Sequence, residues 1–261
     1  MKIHLSDIET ALTIDDILPI RVTKVFDPEG NPIHDKYLIY VKNISKNRWE
    51  VFGPLTSKFS FWNLKQLSEK IINLANIQTR PLVKYDAGVV LVAYEKEKIQ
   101  EPNKFQLLSY AKEIFGTDVT DVDISLCYTF MQGYNGAVGG RFGYHLKYEL
   151  VFKGDKKNLV TFSSTPVKHT PIKLTEDELD KFINLPYELL IDKFKSVTYD
   201  SVRVQLIDVF STRIIKKVDK ANDHRMDLWF ASILAYLVGG TTVQNIMHFD
   251  QELTKVISRL R

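Results

Sequence analysis

Cysteine is almost absent from this chain: Cys127 stands alone among 261 residues. No intrachain disulfide can form, and no cysteine-based zinc site can be assembled. Long apolar runs are missing as well. The longest, Leu228 to Val238, is interrupted by Ser232 and is too short to span a bilayer, so it reads as a buried helix. The first residues, Met1 to Asp7, lack the apolar stretch of a signal peptide. The expectation is a soluble protein in a reducing compartment, the cytoplasm, with no membrane partner. A strong charge of one sign is also lacking. The net charge is only +3, so any basic surface has to be local.

Catalytic signatures are equally scarce. The six histidines (His4, His34, His145, His169, His224, His248) show no metal-ligand spacing, and Gly-x-Ser-x-Gly does not occur. A metal-dependent nuclease of the restriction type needs an Asp followed by Glu-x-Lys on a neighbouring strand. Asp121 and Asp123 are present, but the later motif is reversed, Lys147-Tyr148-Glu149. Nothing here argues for an enzyme, and neither a cofactor nor a metal is expected.

What the chain does have is a long stretch of two-residue alternation. Val122, Ile124, Leu126, Tyr128 and Phe130 are apolar, and the residues between them are mostly polar. The pattern resumes at Tyr144, Leu146, Tyr148, Leu150 and Phe152, with His145, Lys147, Glu149 and Lys153 on the opposite face. Such alternation predicts strands with one buried and one wet face. Between them, Gln132 to Phe142 carries Gly133, Gly136, Gly139 and Gly140. Phosphate loops place their glycines before a helix, whereas here a strand follows, so the segment reads as a hairpin tip.

Earlier in the chain, Ile20–Phe26 and Tyr37–Val41 flank a Pro- and Gly-containing turn, and Trp49–Phe52 is a third short strand. Phe61 to Ala75 has a helical period, with Ser57 or Ser60 to cap it. Leu82–Asp86 and Val89–Tyr94 are strands around Ala87-Gly88, the second apolar enough to be covered on both faces. Glu95 to Asn103 reads as an exposed loop, and Phe105–Phe115 as a helix closed by Gly116. From Thr170 onward the periods are helical. A capping box is expected at Thr175–Glu178, then helices around Leu189–Phe194, Asp200–Val218, Leu228–Val238 (opened by Asp223) and Val243–Leu260. Strands followed by helices predict an α+β fold: a mainly antiparallel sheet in the N-terminal two thirds and a helical C-terminal third. Residues 1–167 would form a β-rich domain and 168–261 a helical region packed on it, or the two would make a single domain, with a hinge at Lys168–Thr175.

The hairpin tip and its strands supply the candidate binding residues. Tyr134 and Phe142 are placed to stack on bases, Asn135 to hydrogen-bond, and Arg141 to pair with phosphate. Lys147, Lys153, Lys156 and Lys157 extend the basic stretch. From Arg141 to Lys157 there are five basic residues against two acidic ones. A second basic face is expected on the helix after Asp200, from Arg203, Arg213, Lys216, Lys217 and Lys220. The same residues also suit an unoccupied, solvated hairpin and a solvated helix face.

The order of elements resembles the phage/plasmid-like protein family of unknown function, found in prophages, phages and plasmids. The matching segments are Tyr40-Val-Lys, Val51-Phe-Gly and Lys58-Phe59, then Phe61 to Tyr94, Gly133-Tyr134-Asn135-Gly136, His169-Thr170, the helix at Tyr199–Phe210 and Gly239-Gly240. Where that family has Arg-x-x-Cys-x-Asn, this chain has Tyr148-Glu-Leu-Val. Three antiparallel strands followed by a helix are also similar to the core of Rad52-like single-strand annealing proteins, which form rings and hold DNA by its backbone. These resemblances imply a mobile-element protein in the host cytoplasm. It would be a homo-oligomer that binds nucleic acid, single-stranded DNA foremost, in recombination or replication without catalysis. The competing expectation is a virion component or host-defence antagonist that binds a protein through exposed aromatic residues.

Overall fold

A computed structural model of the chain describes residues 2–5, 17–135, 141–154, 156–163, 188–221 and 225–259. The fold is α+β, with antiparallel sheets and most of the helices in the C-terminal part. The strands are β1 (Lys2–His4), β2 (Ile20–Phe26), β3 (Pro32–Asn43), β4 (Arg48–Leu55), β5 (Ser60–Trp62), β6 (Leu82–Asp86), β7 (Val89–Lys98), β8 (Val119–Gly133), β9 (Arg141–Phe152) and β10 (Leu159–Ser163). The helices are α1 (Leu64–Ala75), α2 (Lys104–Phe115), α3 (Glu188–Lys195), α4 (Tyr199–Phe210), α5 (Thr212–Val218), α6 (Leu228–Gly239) and α7 (Val243–Arg259), with a 3-10 turn at Asp219–Ala221. The sheets are β1-β5, β2-β3-β4 and β10-β9-β8-β7-β6. Two compact units share these elements. One holds Met1–Tyr94, Thr129–Phe142 and Thr170–Asp180, and the other holds Glu95–Tyr128, Gly143–His169 and Lys181–Arg261. The division expected at residue 167, the hinge and the capping box lie outside the described residues. Among the described residues, no helix is long and apolar enough to cross a membrane.

In the first unit, the β2-β3-β4 sheet follows directly from alternation. Ile20, Val22, Ile39 and Val41 are essentially inaccessible, and the residues between them face outward. The β2–β3 turn is closed by Asp27, which accepts from the Asn31 backbone N–H at 2.7 Å, with Gly30 at φ 86°. Helix α1 buries Leu64, Leu67 and Ile71. Its cap is Asn63, which accepts from the Gln66 N–H at 3.1 Å, rather than either serine, because β5 occupies Ser60. The β6–β7 turn places Ala87 at φ 47° and Gly88 at φ 83°, the paired left-handed residues that a two-residue hairpin requires. A side chain on Gly88 would lie 2.7 Å from the Phe52 ring. Val89 to Tyr94 are all buried, as their unbroken apolar run predicts, and β7 continues to Lys98 where a loop was expected.

The second unit is built on α6. Every residue from Leu228 to Leu237 is buried, so this helix lies inside its unit instead of showing the usual polar face. Its cap is Asp227, whose carboxylate accepts from the Phe230 N–H at 2.8 Å; Asp223 lies outside the described residues. Trp229 packs edge-on against Tyr148 and Phe194, and Tyr236 against Phe210 and Phe249. Two expectations are corrected here. Asp200 to Val218 is not one helix: Ser211, at φ 73°, breaks it into α4 and α5. After the break Ile215 and Val218 are buried, and Ile214 is half-buried with its side chain against Gly239 of α6. The polar face of β9 is not wet throughout either. His145 is inaccessible, lying 3.4 Å from the Asp250 carboxylate on α7, which also accepts from the Tyr236 hydroxyl at 2.6 Å.

Candidate nucleic-acid interface

In the second unit, α5 concentrates positive charge because its apolar residues all point one way. Ile215 and Val218 are buried, which turns Arg213, Lys216 and Lys217 outward, and Lys220 follows on the 3-10 turn. All four are exposed, and none forms an ion pair among the described residues. The carboxylate in their midst, Asp219, faces away from them functionally. It takes a two-point contact from the Arg203 guanidinium, at 2.8 and 2.6 Å, and the Tyr199 hydroxyl at 2.9 Å. The Arg203 hydrogen bonds hold the Asp219 carboxyl below its ordinary range against the opposing effect of burial. Arg203, expected on the basic face, is therefore engaged, while the other four cations stay available.

The lysines of β9 and the β9–β10 turn belong to the same unit and divide into two kinds. Lys147 is half-buried and bonded to Glu95, with Glu149 at 3.5 Å. Burial alone would lower its pKa, but these carboxylates raise it. Lys156 pairs with Asp118, whose carboxyl is pulled down by that contact, and its ammonium lies 5.9 Å from the Phe152 ring centre. Lys153 and Lys157 are exposed and form no ion pair among the described residues. Two of the four therefore present uncommitted charge.

Tyr134 and Asn135 belong to the first unit, as do Arg141 and Phe142, so the eight expected residues are split between the two units. Tyr134 is fully buried, its ring edge-on to Phe61 at 5.8 Å, and a ring with no exposed face offers nothing for a base to stack on. Asn135 is exposed, but its amide donates to the Ala87 carbonyl at 3.1 Å and so secures the β6–β7 turn. The side chains of Arg141 and Phe142, and the tip at 136–140, lie outside the described residues.

Asp121 and Asp123 are held by lysines. Lys104 reaches Asp121 at 2.8 Å and Asp123 at 3.2 Å, and Lys98 reaches Asp123 at 3.1 Å. Burial would raise the Asp123 pKa, but these lysines lower it. Among the described residues, no group of three or more His, Cys, Asp or Glu side chains is placed to hold a metal ion.

One surface escaped the sequence reading altogether. On the outward face of β2-β3-β4, Arg21, Tyr40 and Val51 lie in register across the sheet, with Lys42 opposite Trp49 in the adjacent row. The Arg21 guanidinium sits 4.9 Å from the Trp49 ring centre and the Lys42 ammonium 5.8 Å from it. In the sequence these residues are marked only as Tyr40 and Lys42, or Trp49 and Val51, spaced two apart on one strand; the register that brings Arg21 beside them is not legible there. Comparison with protein-family models, curated proteins and solved structures finds no match, so function is argued from the residues of this chain.

Proposed function

We propose that this protein binds nucleic acid, single-stranded DNA foremost, and acts without catalysis of its own in the recombination or replication of a phage or plasmid. The observation that carries the reading is the α5 patch, where Arg213, Lys216, Lys217 and Lys220 are exposed and Asp219 is occupied by Arg203. A run of uncommitted cations with its nearby carboxylate neutralised internally is suited to a polyanion, because binding releases condensed counterions. Lys153 and Lys157 add phosphate contacts of the same kind. The mobile-element setting, the preference for single strands and a homo-oligomeric state rest on the resemblances drawn from element order.

Combined replacement of Arg213, Lys216 and Lys217 by alanine should weaken oligonucleotide binding and flatten its salt dependence by about 0.7 in log–log slope per lost contact. Unchanged affinity and slope would remove α5 from the interface. A second reading, a protein that binds another protein, is favoured by Phe105 at 90% exposure and Val204 at 72%, two apolar side chains left in solvent. If the purified protein retards no short DNA at low salt, that reading takes precedence.

A further inference from the structure

The outward face of β2-β3-β4 combines three features. The first is an aromatic ring in solvent: Trp49 is 36% exposed, whereas Trp229 is fully buried. The second is a cationic cover, since Arg21 and Lys42 both lie over that ring. Lys42 is steadied there by donating to the Asn47 carbonyl at 3.3 Å, whereas Arg21 is exposed and forms no ion pair among the described residues. The third is a lack of opposing charge. The three strands carry only two carboxylates, Asp35 and Glu50. Asp35 accepts from the Ser57 N–H at 2.7 Å, at the far end of the sheet from Trp49. Glu50 pairs in register with the buried Val41 and accepts from Asn43 and Tyr85, both at 2.9 Å.

We infer that this face is a stacking site for unpaired bases, with Arg21 and Trp49 as the platform and Lys42 beside it to meet the phosphates. The inference rests on the nucleic-acid reading above but concerns a different unit and a different contact. The planar Arg21 guanidinium, 4.9 Å from the indole centre, presents a flat cationic surface beside the ring to a base, which is how arginine and aromatic rings hold single strands without reading sequence. Base pairs in a duplex are stacked on each other and present no free face, so the site selects single strands. Val51, at 52% exposure and in register with Tyr40, widens the apolar floor beside the stack.

The test uses intrinsic fluorescence and a salt series on the full chain, with oligothymidylate and a duplex of equal length as probes. Single strands should quench the emission of Trp49, and Trp49→Ala should lower single-strand affinity about tenfold without altering the salt slope. Trp49→Phe should recover part of the loss. Arg21→Ala should both weaken binding and reduce the slope by about 0.7, and Arg21→Lys should restore the slope but not the full affinity. Trp49 is at the surface, so these variants should unfold at the wild-type temperature. If wild-type protein binds single strands and Trp49→Ala binds them equally well, the site is wrong while the nucleic-acid reading stands. Equal affinity of the wild type for duplex and single strand, with no quenching, would overturn the site in the same way. If the wild type binds neither probe at low salt, both readings fall.

Discussion

Arg203 and Asp219 illustrate how one contact shapes both stability and surface charge. Because Arg203 lowers the Asp219 pKa in the folded chain, the pair stabilises the fold at pH values above the ordinary carboxylate range, near 4. That contribution is lost as the pH falls through the depressed folded value. Asp219→Asn should therefore melt below the wild type at pH 7, and the difference should narrow at pH 3. A difference independent of pH would contradict the assignment. Cys127 gives a second check at this scale. It is 1% exposed, and burial pushes its thiol up to about 12, so almost no thiolate exists at neutral pH. A thiol reagent should label it only after unfolding, and rapid labelling of native protein would refute that burial.

Among the elements, α6 and α7 are tied to β9 and β10 by polar groups set into an apolar interior. Asp250 lies against His145 and accepts from Tyr236, and Thr161 donates to the Gly240 carbonyl at 2.7 Å. Removing the Asp250 carboxylate strips the acceptor from the buried Tyr236 hydroxyl and takes away the carboxylate 3.4 Å from His145. Asp250→Ala should cost about 3 kcal/mol in urea denaturation, and Tyr236→Phe about 1 kcal/mol. Values within about 0.5 kcal/mol of wild type for both would mean that the network carries no weight. Gly240 admits no side chain, since a Cβ there would approach the Tyr236 carbonyl to 2.7 Å. Gly240→Ala should therefore also destabilise, by about 1–3 kcal/mol.

The same elements separate what is legible in the sequence from what is not. Both faces of a strand can be covered, and alternation reports only the local period. His145 and Ser125, polar and on the expected wet face, are both buried, His145 beside Asp250 from far along the chain. The break at Ser211 is hidden for a related reason: serine carries no mark of a left-handed backbone, and the flanking apolar residues fit one continuous helix. Turns with glycine or paired left-handed residues were readable, as at Gly30 and Ala87-Gly88. For the candidate interface, the basic character of α5 could be read from spacing. The engagement of Arg203, the burial of Tyr134 and the Arg21–Trp49 contact could not, because each depends on a cross-element neighbour.

At the scale of the whole molecule, the net charge of +3 is too small to draw a polyanion by itself, so the proposed binding rests on patches whose own carboxylates are occupied. The α5 cations supply one in the second unit. The most direct test is the affinity of the full chain for a fluorescently labelled oligothymidylate, followed from low to physiological salt for the wild type and for the Arg213→Ala, Lys216→Ala, Lys217→Ala variant. Tight binding is expected at low salt, weakening steeply as salt rises, with the variant's log–log slope shallower by about 2, from three lost contacts of about 0.7 each. No binding by the wild type at low salt, or identical slopes for the two proteins, would contradict it.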